Sequence, residues 1–569
     1  MSPVVLNIAQ RLTKMAQEIP DNIAIAEPVR YKKQPVYDSS CRRVYRTITF
    51  RELDRESDRV ASVLQAKGFR PGMRIVLMVR QGIDFITLVY ALCKAGIILV
   101  MIDPGMGLKQ MLACLSEVRP DGFVAIPPVH AVRCLLRSRF PRARFNLTVG
   151  RRWFWGGLTL KQIQRQSQVS PWKAQTAPDD PASIIFTSGS TGIAKGVLYT
   201  HRIFDTQVEE ISRRYDIRPG GVDVACFPFF GLFNAAMGTT AVIPDMDPTH
   251  PSRIKPEFYL EAVRDWHATQ SFGSPALWNR VLDYCIERGI RMESIRRAIS
   301  AGAPISFALL EKFKKCLSPE AQIYTPYGAT ESLPVASIEA TEVLSETFEK
   351  TRRGQGICVG RKFSKIEWRT IPITDEPIEN PDTVPELMPG VIGELAVCGP
   401  QVTREYVTRI EANRLAKMKD SRGRIWHRIG DVGYIDNQDR FWFCGRKAHR
   451  VETEEGTCFS IPCEAIANEH PRVFRSALAG IPVSGTNWRI PVIIVEPLPQ
   501  FFPKNDTERD RLCQEVLELL AKSEVTAGIK TVLVHPDFPV DVRHNAKINR
   551  EQLSKWAAEQ TRKKDFGGK

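Results

Sequence analysis

The chain has 569 residues, 43% hydrophobic, 25% charged and 9% aromatic, fractions that exclude a disordered, collagen-like or coiled-coil protein. Its thirteen cysteines include no C-x-x-C pair, which argues for reduced intracellular thiols and against a disulfide framework or a zinc site. A net charge of +15 favours anionic partners without choosing among nucleotides, nucleic acid, acidic proteins and lipid headgroups.

In chain order, Met1–Pro20 mixes polar and apolar residues and reads as an amphipathic surface helix, not a signal peptide. Phe50–Lys67 has the helical period, Gly68–Gly72 is a turn, and Arg74–Val79 is a strand. Phe85–Ile102 is nearly apolar but is best split at Lys94–Gly96 into a helix and a buried strand, because a membrane span needs about 20 apolar residues. A helix near Gly107–Val118 and a strand at Gly122–Ile126 continue an alternation that argues for parallel sheets covered by helices. Further strands fit Ser183–Thr187, Val222–Pro228, Ile295–Ser300 and Ile323–Tyr327. Ile371–Gly390 is a Pro- and acid-rich loop, followed by strands at Gly393–Cys398, Gly433–Ile435 and Phe441–Phe443. Beyond Gly445 the pattern predicts a smaller unit, with strands at Ser476–Ile481, Val492–Val495 and Thr531–Val534 and helices at Ile461–Glu469 and Asp506–Ala521. The expected organisation is a large domain over 1–445 and a small one over 446–569.

The most informative stretch runs from Thr187 through Ser188, Gly189, Ser190, Thr191 and Gly192 to Lys195 and Gly196. Glycines let backbone N–H groups turn inward together, hydroxyls add donors, and the lysine adds a movable charge: a polyphosphate cradle, though not a Walker A loop. A plain turn needs two or three such residues; here seven of the ten from Thr187 to Gly196 are Gly, Ser or Thr.

This loop resembles the phosphate loop of the adenylate-forming superfamily of acyl-CoA synthetases, adenylation domains and luciferases. Further motifs follow in that family's order. Ala301, Gly302, Ala303 and Pro304 resemble its adenine-binding segment, and Tyr327, Gly328, Ala329, Thr330 and Glu331 its Y-G-x-T-E, with Thr325 just before. His427–Asp431 is similar to the segment whose aspartate holds the ribose. Gly445–Arg446–Lys447 resembles the motif before the hinge, and Lys547 sits where the catalytic lysine of the small domain belongs. The resemblance implies an α/β fold: a large N-terminal domain of stacked parallel and mixed sheets plus a small barrel-like sheet, and a small, mobile α+β C-terminal domain. It implies ATP and magnesium, with Glu331 on the metal, Thr330 and Lys195 on phosphate oxygens, Tyr327 on adenine, Asp431 and Arg446 near the ribose, and Lys547 on the reacting oxygens. Each assignment makes chemical sense, since a carboxylate suits magnesium and a mobile ammonium suits charge building between carboxylate and phosphate. Taken singly, Tyr327 also reads as core, Glu331 as a helix-start carboxylate and Asp431 as a turn residue.

Two departures stand out. Many acyl-CoA synthetases have a histidine after a Pro-x-Phe run in the loop lining the acyl pocket, and Gly231 takes that place here. Ala448–His449 follow Arg446–Lys447 where an aspartate is common. Glycine at 231 is expected to leave room for a bulky chain. Phe229, Phe230, Leu232, Phe233 and Met237 read equally as the lining of that pocket or as core. The runs Phe229–Asn234, Val242–Thr249 and Val542–Ile548 resemble the branch that makes β-lactones in bacterial long-chain olefin biosynthesis. That branch implies a long-chain 2-alkyl-3-hydroxy acid as substrate; the alternative is a long-chain acyl-CoA or acyl-carrier ligase. A nucleic-acid role is disfavoured because basic pairs such as Arg213–Arg214, Arg296–Arg297 and Arg352–Arg353 look scattered. The remaining options for the basic charge are docking to other olefin-pathway enzymes or peripheral contact with an anionic membrane. A cytoplasmic location is expected.

Overall fold

The computed structural model describes residues 5–32, 34–166, 173–187, 194–540 and 548–566. Ser188, Gly189, Ser190, Thr191 and Gly192 of the predicted phosphate loop, and Lys547, lie outside the described residues.

The first sheet has seven strands, in the order Gly196–Thr200, Pro181–Phe186, Ile98–Met101, Arg74–Met78, Gly122–Ala125, Phe145–Thr148 and Leu158–Thr159. All neighbours are parallel except the first pair, a hairpin whose connection is the predicted phosphate loop. Ile98–Met101 is buried on both faces, as a short unbroken apolar run in a parallel sheet should be. The preceding helix, Ile83–Lys94, is buried along its whole length and stops before Gly96, whose φ of +65° reverses the chain. Lys94 explains the one charge in that run: Nζ lies 2.6 Å from Asp54 Oδ1 and 2.7 Å from Asp58 Oδ1, and donates to Ser57 Oγ at 2.8 Å. A buried ammonium so paired belongs in a folded interior. Among the described residues, no helix is long and apolar enough to cross a membrane.

The second sheet has a parallel centre formed by Ile23–Pro28, Thr240–Val242, Val222–Ala225, Gln270–Gly273, Arg297–Ser300 and Gln322–Ala329. From Ser332–Glu339 onward it turns antiparallel, through Ile357–Lys362, Arg440–Arg446, Ile425–Ile435, Gly393–Cys398 and Glu367–Ile371. The strands expected to form a small barrel-like sheet are hydrogen-bonded onto the central one.

Val222–Ala225 is shorter than the predicted strand, because a helix, Pro228–Met237, begins where a loop was expected. Proline at its first turn and Gly238 at φ +73° just past its end are ordinary helix boundaries.

After Arg446, a turn at Lys447–His449 leads into a three-stranded sheet of Val473–Pro482, Arg489–Pro497 and Thr531–Val534. Helices Ser460–Ala467, Asp506–Leu520 and Arg550–Phe566 cover it, and it has apolar clusters of its own. Lys447 Nζ donates to Thr374 O at 2.9 Å and lies 3.2 Å from Glu394 Oε2. Arg450 pairs with Asp375 at 2.5 Å. The Pro- and acid-rich loop thus grips the start of this unit.

Candidate active site

Thr187, Ala301–Pro304 and Thr330–Glu331 lie where parallel strands of the two sheets end at their C-termini, the usual place for ligands in open α/β sheets. In the first sheet, Thr187 and Lys195 pair at the two ends of the predicted phosphate loop. The Thr187 N–H donates to Lys195 O at 3.0 Å, and the Lys195 N–H donates to Thr187 Oγ1 at 3.1 Å.

In the second sheet, Arg297–Ser300 ends in Ala301–Pro304, where Gly302 has φ +95°. Its neighbour Gln322–Ala329 carries Thr325, Tyr327 and Gly328 and turns back at Thr330 and Glu331. A Cβ on Gly328 would lie 2.6 Å from Ser332 O, so only glycine allows that tight return.

A segment absent from the predicted site joins the two banks. Thr403 donates through both N–H and Oγ1 to Glu331 O at 2.9 Å. Three residues on, the Tyr406 hydroxyl donates to Glu331 Oε1 at 2.6 Å. Val407 then donates to Gly196 O at 2.8 Å, and Gly196 N–H donates to Thr408 Oγ1 at 2.7 Å. Lys195 Nζ lies 4.8 Å from the centre of the Tyr406 ring and Lys417 Nζ 5.6 Å from it. The phosphate-loop lysine and the expected metal carboxylate thus meet across one tyrosine. Nearby, the Tyr199 hydroxyl donates to Thr330 O at 2.6 Å. Tyr406, Thr403 and Lys417 carry no periodic or glycine signal; only their place after the Gly399–Pro400 break could have drawn attention to them.

Lys417 donates to Thr403 O at 2.5 Å and to Thr403 Oγ1 at 3.1 Å. Burial pulls its ammonium down to about 7, against the opposing pull of Glu331 and Glu405. Burial, with Lys417 beside it, also keeps His427 well below the usual imidazole range. Burial and Glu331 push the Tyr406 phenol up.

The third group is Tyr327, Asp431 and Arg446. Asp431 and Arg446 face each other on adjacent strands. Arg446 Nη1 donates to Asp431 Oδ1 at 2.6 Å, and the Tyr327 hydroxyl donates to Asp431 Oδ2 at 2.5 Å. Each carboxylate oxygen keeps a lone pair, enough to accept from a diol. The Tyr327 ring rests near Phe441 and Phe443, at 5.9 and 6.4 Å between centres.

A Cβ built on Gly231 would lie 2.5 Å from Ile86 Cδ1, so on that side the glycine lets the helix Pro228–Met237 pack closely against Ile83–Lys94. Phe233 stands 6.5 Å from Phe204, ring centre to ring centre. Phe229 and Phe230 lie on the same helix, Pro228–Met237.

Two adjoining sheets, with the ends of a hydroxyl- and glycine-rich loop on one and an aromatic–carboxylate–guanidinium group on the other, suit a nucleotide-using α/β enzyme. Residues 16–407 match the AMP-binding enzyme family, and the chain belongs to it. It is an adenylate-forming ligase. An olefin beta-lactone synthetase of Xanthomonas campestris pv. campestris is 43% identical, the match covering 97% of this chain and 98% of that one. Its counterpart from Stenotrophomonas maltophilia is 41% identical over 98% and 99% of the two chains. Among solved structures, the amide bond synthetase McbA from Marinactinospora thermotolerans shares the fold, with a TM-score of 0.75 at 19% identity over 97% of this chain and 99% of its own.

Proposed function

We propose that this chain is a β-lactone synthetase that converts a long-chain 2-alkyl-3-hydroxy acid, through its acyl adenylate, into a β-lactone. The observation that carries this reading is the 43% identity to an olefin beta-lactone synthetase along almost the whole of both chains. The acyl-CoA ligase relatives, such as one from Ajellomyces capsulatus at 25% over 76% of the chain, are more distant and give the thioester-forming alternative weaker support.

In the first step a carboxylate oxygen of the acid bonds to the α-phosphorus of ATP, and the bond to pyrophosphate breaks. Thr187 and Lys195 are assigned to the phosphate chain, Asp431 to the ribose hydroxyls with Tyr327 and Arg446 fixing its orientation, and Thr330 to a phosphate oxygen. Lys547 is assigned to the oxygens where charge builds. Glu331 suits magnesium: among the described residues no cluster of three metal-binding side chains exists, so one carboxylate would leave the ion to phosphates and water, as magnesium prefers. When bound, the metal supplies neutralisation of phosphate charge. Tyr406 holds the carboxylate in one orientation from behind.

In the second step the substrate's 3-hydroxyl oxygen bonds to the acyl carbon, the hydroxyl proton departs, and the acyl–oxygen bond to AMP breaks. The nucleophile is tethered beside the carbonyl, so no second substrate is needed. One original carboxylate oxygen therefore leaves on AMP. We assign residues 1–445 to the adenylating domain and 446–569 to a lid that carries Lys547.

The test is to incubate the protein with ATP, magnesium and a carboxyl-¹⁸O-labelled 2-alkyl-3-hydroxy acid, with and without coenzyme A. The reading expects labelled AMP, pyrophosphate and a lactone equal to the acid less water, unchanged by coenzyme A. An acyl thioester as sole product, formed only with coenzyme A, would replace it with the ligase reading.

A further inference from the structure

The positive charge is not scattered as the basic pairs suggested. Residues 122–178 contain eight arginines and two lysines and no aspartate or glutamate, so these 57 residues carry +10 of the net +15. Most of this charge lies along the far edge of the seven-stranded sheet. There the helix Pro127–Leu135, the turn Arg137–Arg139, the strand Phe145–Thr148 and the following loop pack together. Trp155 holds the loop to the helix, its ring 5.5 Å from that of His130 and its Nε1 donating to Thr148 Oγ1 at 2.9 Å.

Arg137, Arg139, Arg144, Arg151 and Arg152 are exposed, and among the described residues none of them has a carboxylate at ion-pair distance; Arg142 alone pairs, with Asp121. Three large apolar side chains stand among these arginines: Leu135 is 80% exposed, Phe154 72% and Trp153 53%. Beside them, between Pro127–Leu135 and the helix Leu108–Val118, runs a groove of about 160 Å³ lined by Leu108, Met111, Leu115, Phe123, Val129 and Val132.

We propose that this face is a docking surface for an anionic phospholipid bilayer. Its arginines engage headgroup phosphates, Trp153, Phe154 and Leu135 enter the interface, and the groove receives the start of an acyl tail. Unpaired arginines alone would suit any polyanion, but the exposed aromatic pair and the apolar groove match only a ligand with an anionic head and a hydrocarbon tail. Tryptophan is well suited to that boundary, having an apolar body and a polar edge. The face lies four strand spacings from Pro181–Phe186, about 19 Å, and so on the opposite edge from the phosphate loop. The proposal stands on charge and exposure and does not depend on which acid is adenylated.

The test is co-sedimentation of the full-length chain with vesicles of mixed phosphatidylglycerol and phosphatidylcholine, against pure phosphatidylcholine. Wild type is expected on the anionic vesicles only, released by salt. Each basic residue at such a surface contributes about fivefold in partitioning, so Arg151→Gln with Arg152→Gln should lower binding at least tenfold. Trp153→Ser with Phe154→Ser should also lower it, and leave the residual binding more salt-sensitive. Pyrophosphate release in solution should stay at the wild-type rate in both variants, which keeps loss of binding distinct from loss of fold. Equal binding to both vesicle types, variants that bind as wild type does, or binding to polyglutamate as tight as to vesicles would overturn the proposal.

Discussion

The Tyr406 hydroxyl sits 2.6 Å from Glu331 Oε1, although the two residues lie on different segments 75 positions apart. Lys195 approaches the same tyrosine from its ring side, 4.8 Å from the ring centre, so one side chain touches both the lysine and the carboxylate.

Removing that hydroxyl should therefore act on magnesium dependence. A hydrogen bond to a charged group contributes about 1.5–3 kcal/mol, so Tyr406→Phe should slow pyrophosphate release roughly tenfold or more at limiting magnesium. Much of the rate should return at high magnesium. A magnesium titration of both proteins checks this; an unchanged half-saturation point would make Tyr406 a packing residue.

Lys195 and Lys547 should separate in kinetics. Lys195→Ala should raise the KM for ATP more than that for the acid, since its assigned target is the phosphate chain. Lys547→Ala and Glu331→Ala should lower adenylation by about 10²–10³, the usual loss for an oriented transition-state charge. Pyrophosphate release at the wild-type rate in either of the last two would remove them from the reaction.

The packing at Gly231 predicts a stability effect with a specific rescue. Gly231→Ala drives a methyl into Ile86 and should cost about 1–3 kcal/mol. Adding Ile86→Ala should cost less than the sum of the two single changes, because the new methyl enters the space that isoleucine vacates. Urea unfolding of the four proteins measures the coupling; strict additivity would mean that the two helices do not meet there.

Acid should loosen the N-terminus through His201. Ile8 N–H donates to His201 Nδ1 at 3.3 Å, a bond that requires the unprotonated ring, and burial holds this imidazole down to about 4. In the unfolded chain it titrates near its ordinary value of about 6.5. Between those values the unfolded state binds the extra proton, so this contribution is intact above about 6.5 and is lost as pH falls toward 4. The melting temperature of His201→Gln should fall less than that of wild type over this interval.

Much of the site was legible because it is built from local runs. The Thr187–Gly196 loop, Tyr327–Glu331 and Asp431 announce themselves through glycine density or a short fixed pattern, and strands such as Gly393–Cys398 and Thr531–Val534 fall at their predicted bounds. Tyr406 and Lys417 were not legible, because what matters in them is a distance across the chain. The packing partner of Gly231 was hidden for the same reason: the absence of a side chain says nothing about which neighbour stands there, and that neighbour is Ile86, 145 residues earlier. The basic stretch 122–178 shows as a cluster only when carboxylates are counted as well, because its signal is the absence of aspartate and glutamate over 57 residues.

The segment from Thr403 to Thr408 crosses between two sheets that otherwise fold around separate strand sets. Its amide hydrogens belong to neither sheet's own ladder, so their exchange with solvent reports the seam itself. Thr403, Val407 and Gly196 should exchange together, at a rate set by parting of the banks and not by fraying of either one. Nucleotide held across the seam would then slow all three in concert while leaving the distant strand Phe145–Thr148 unaffected, which makes the seam a built-in gauge of occupancy.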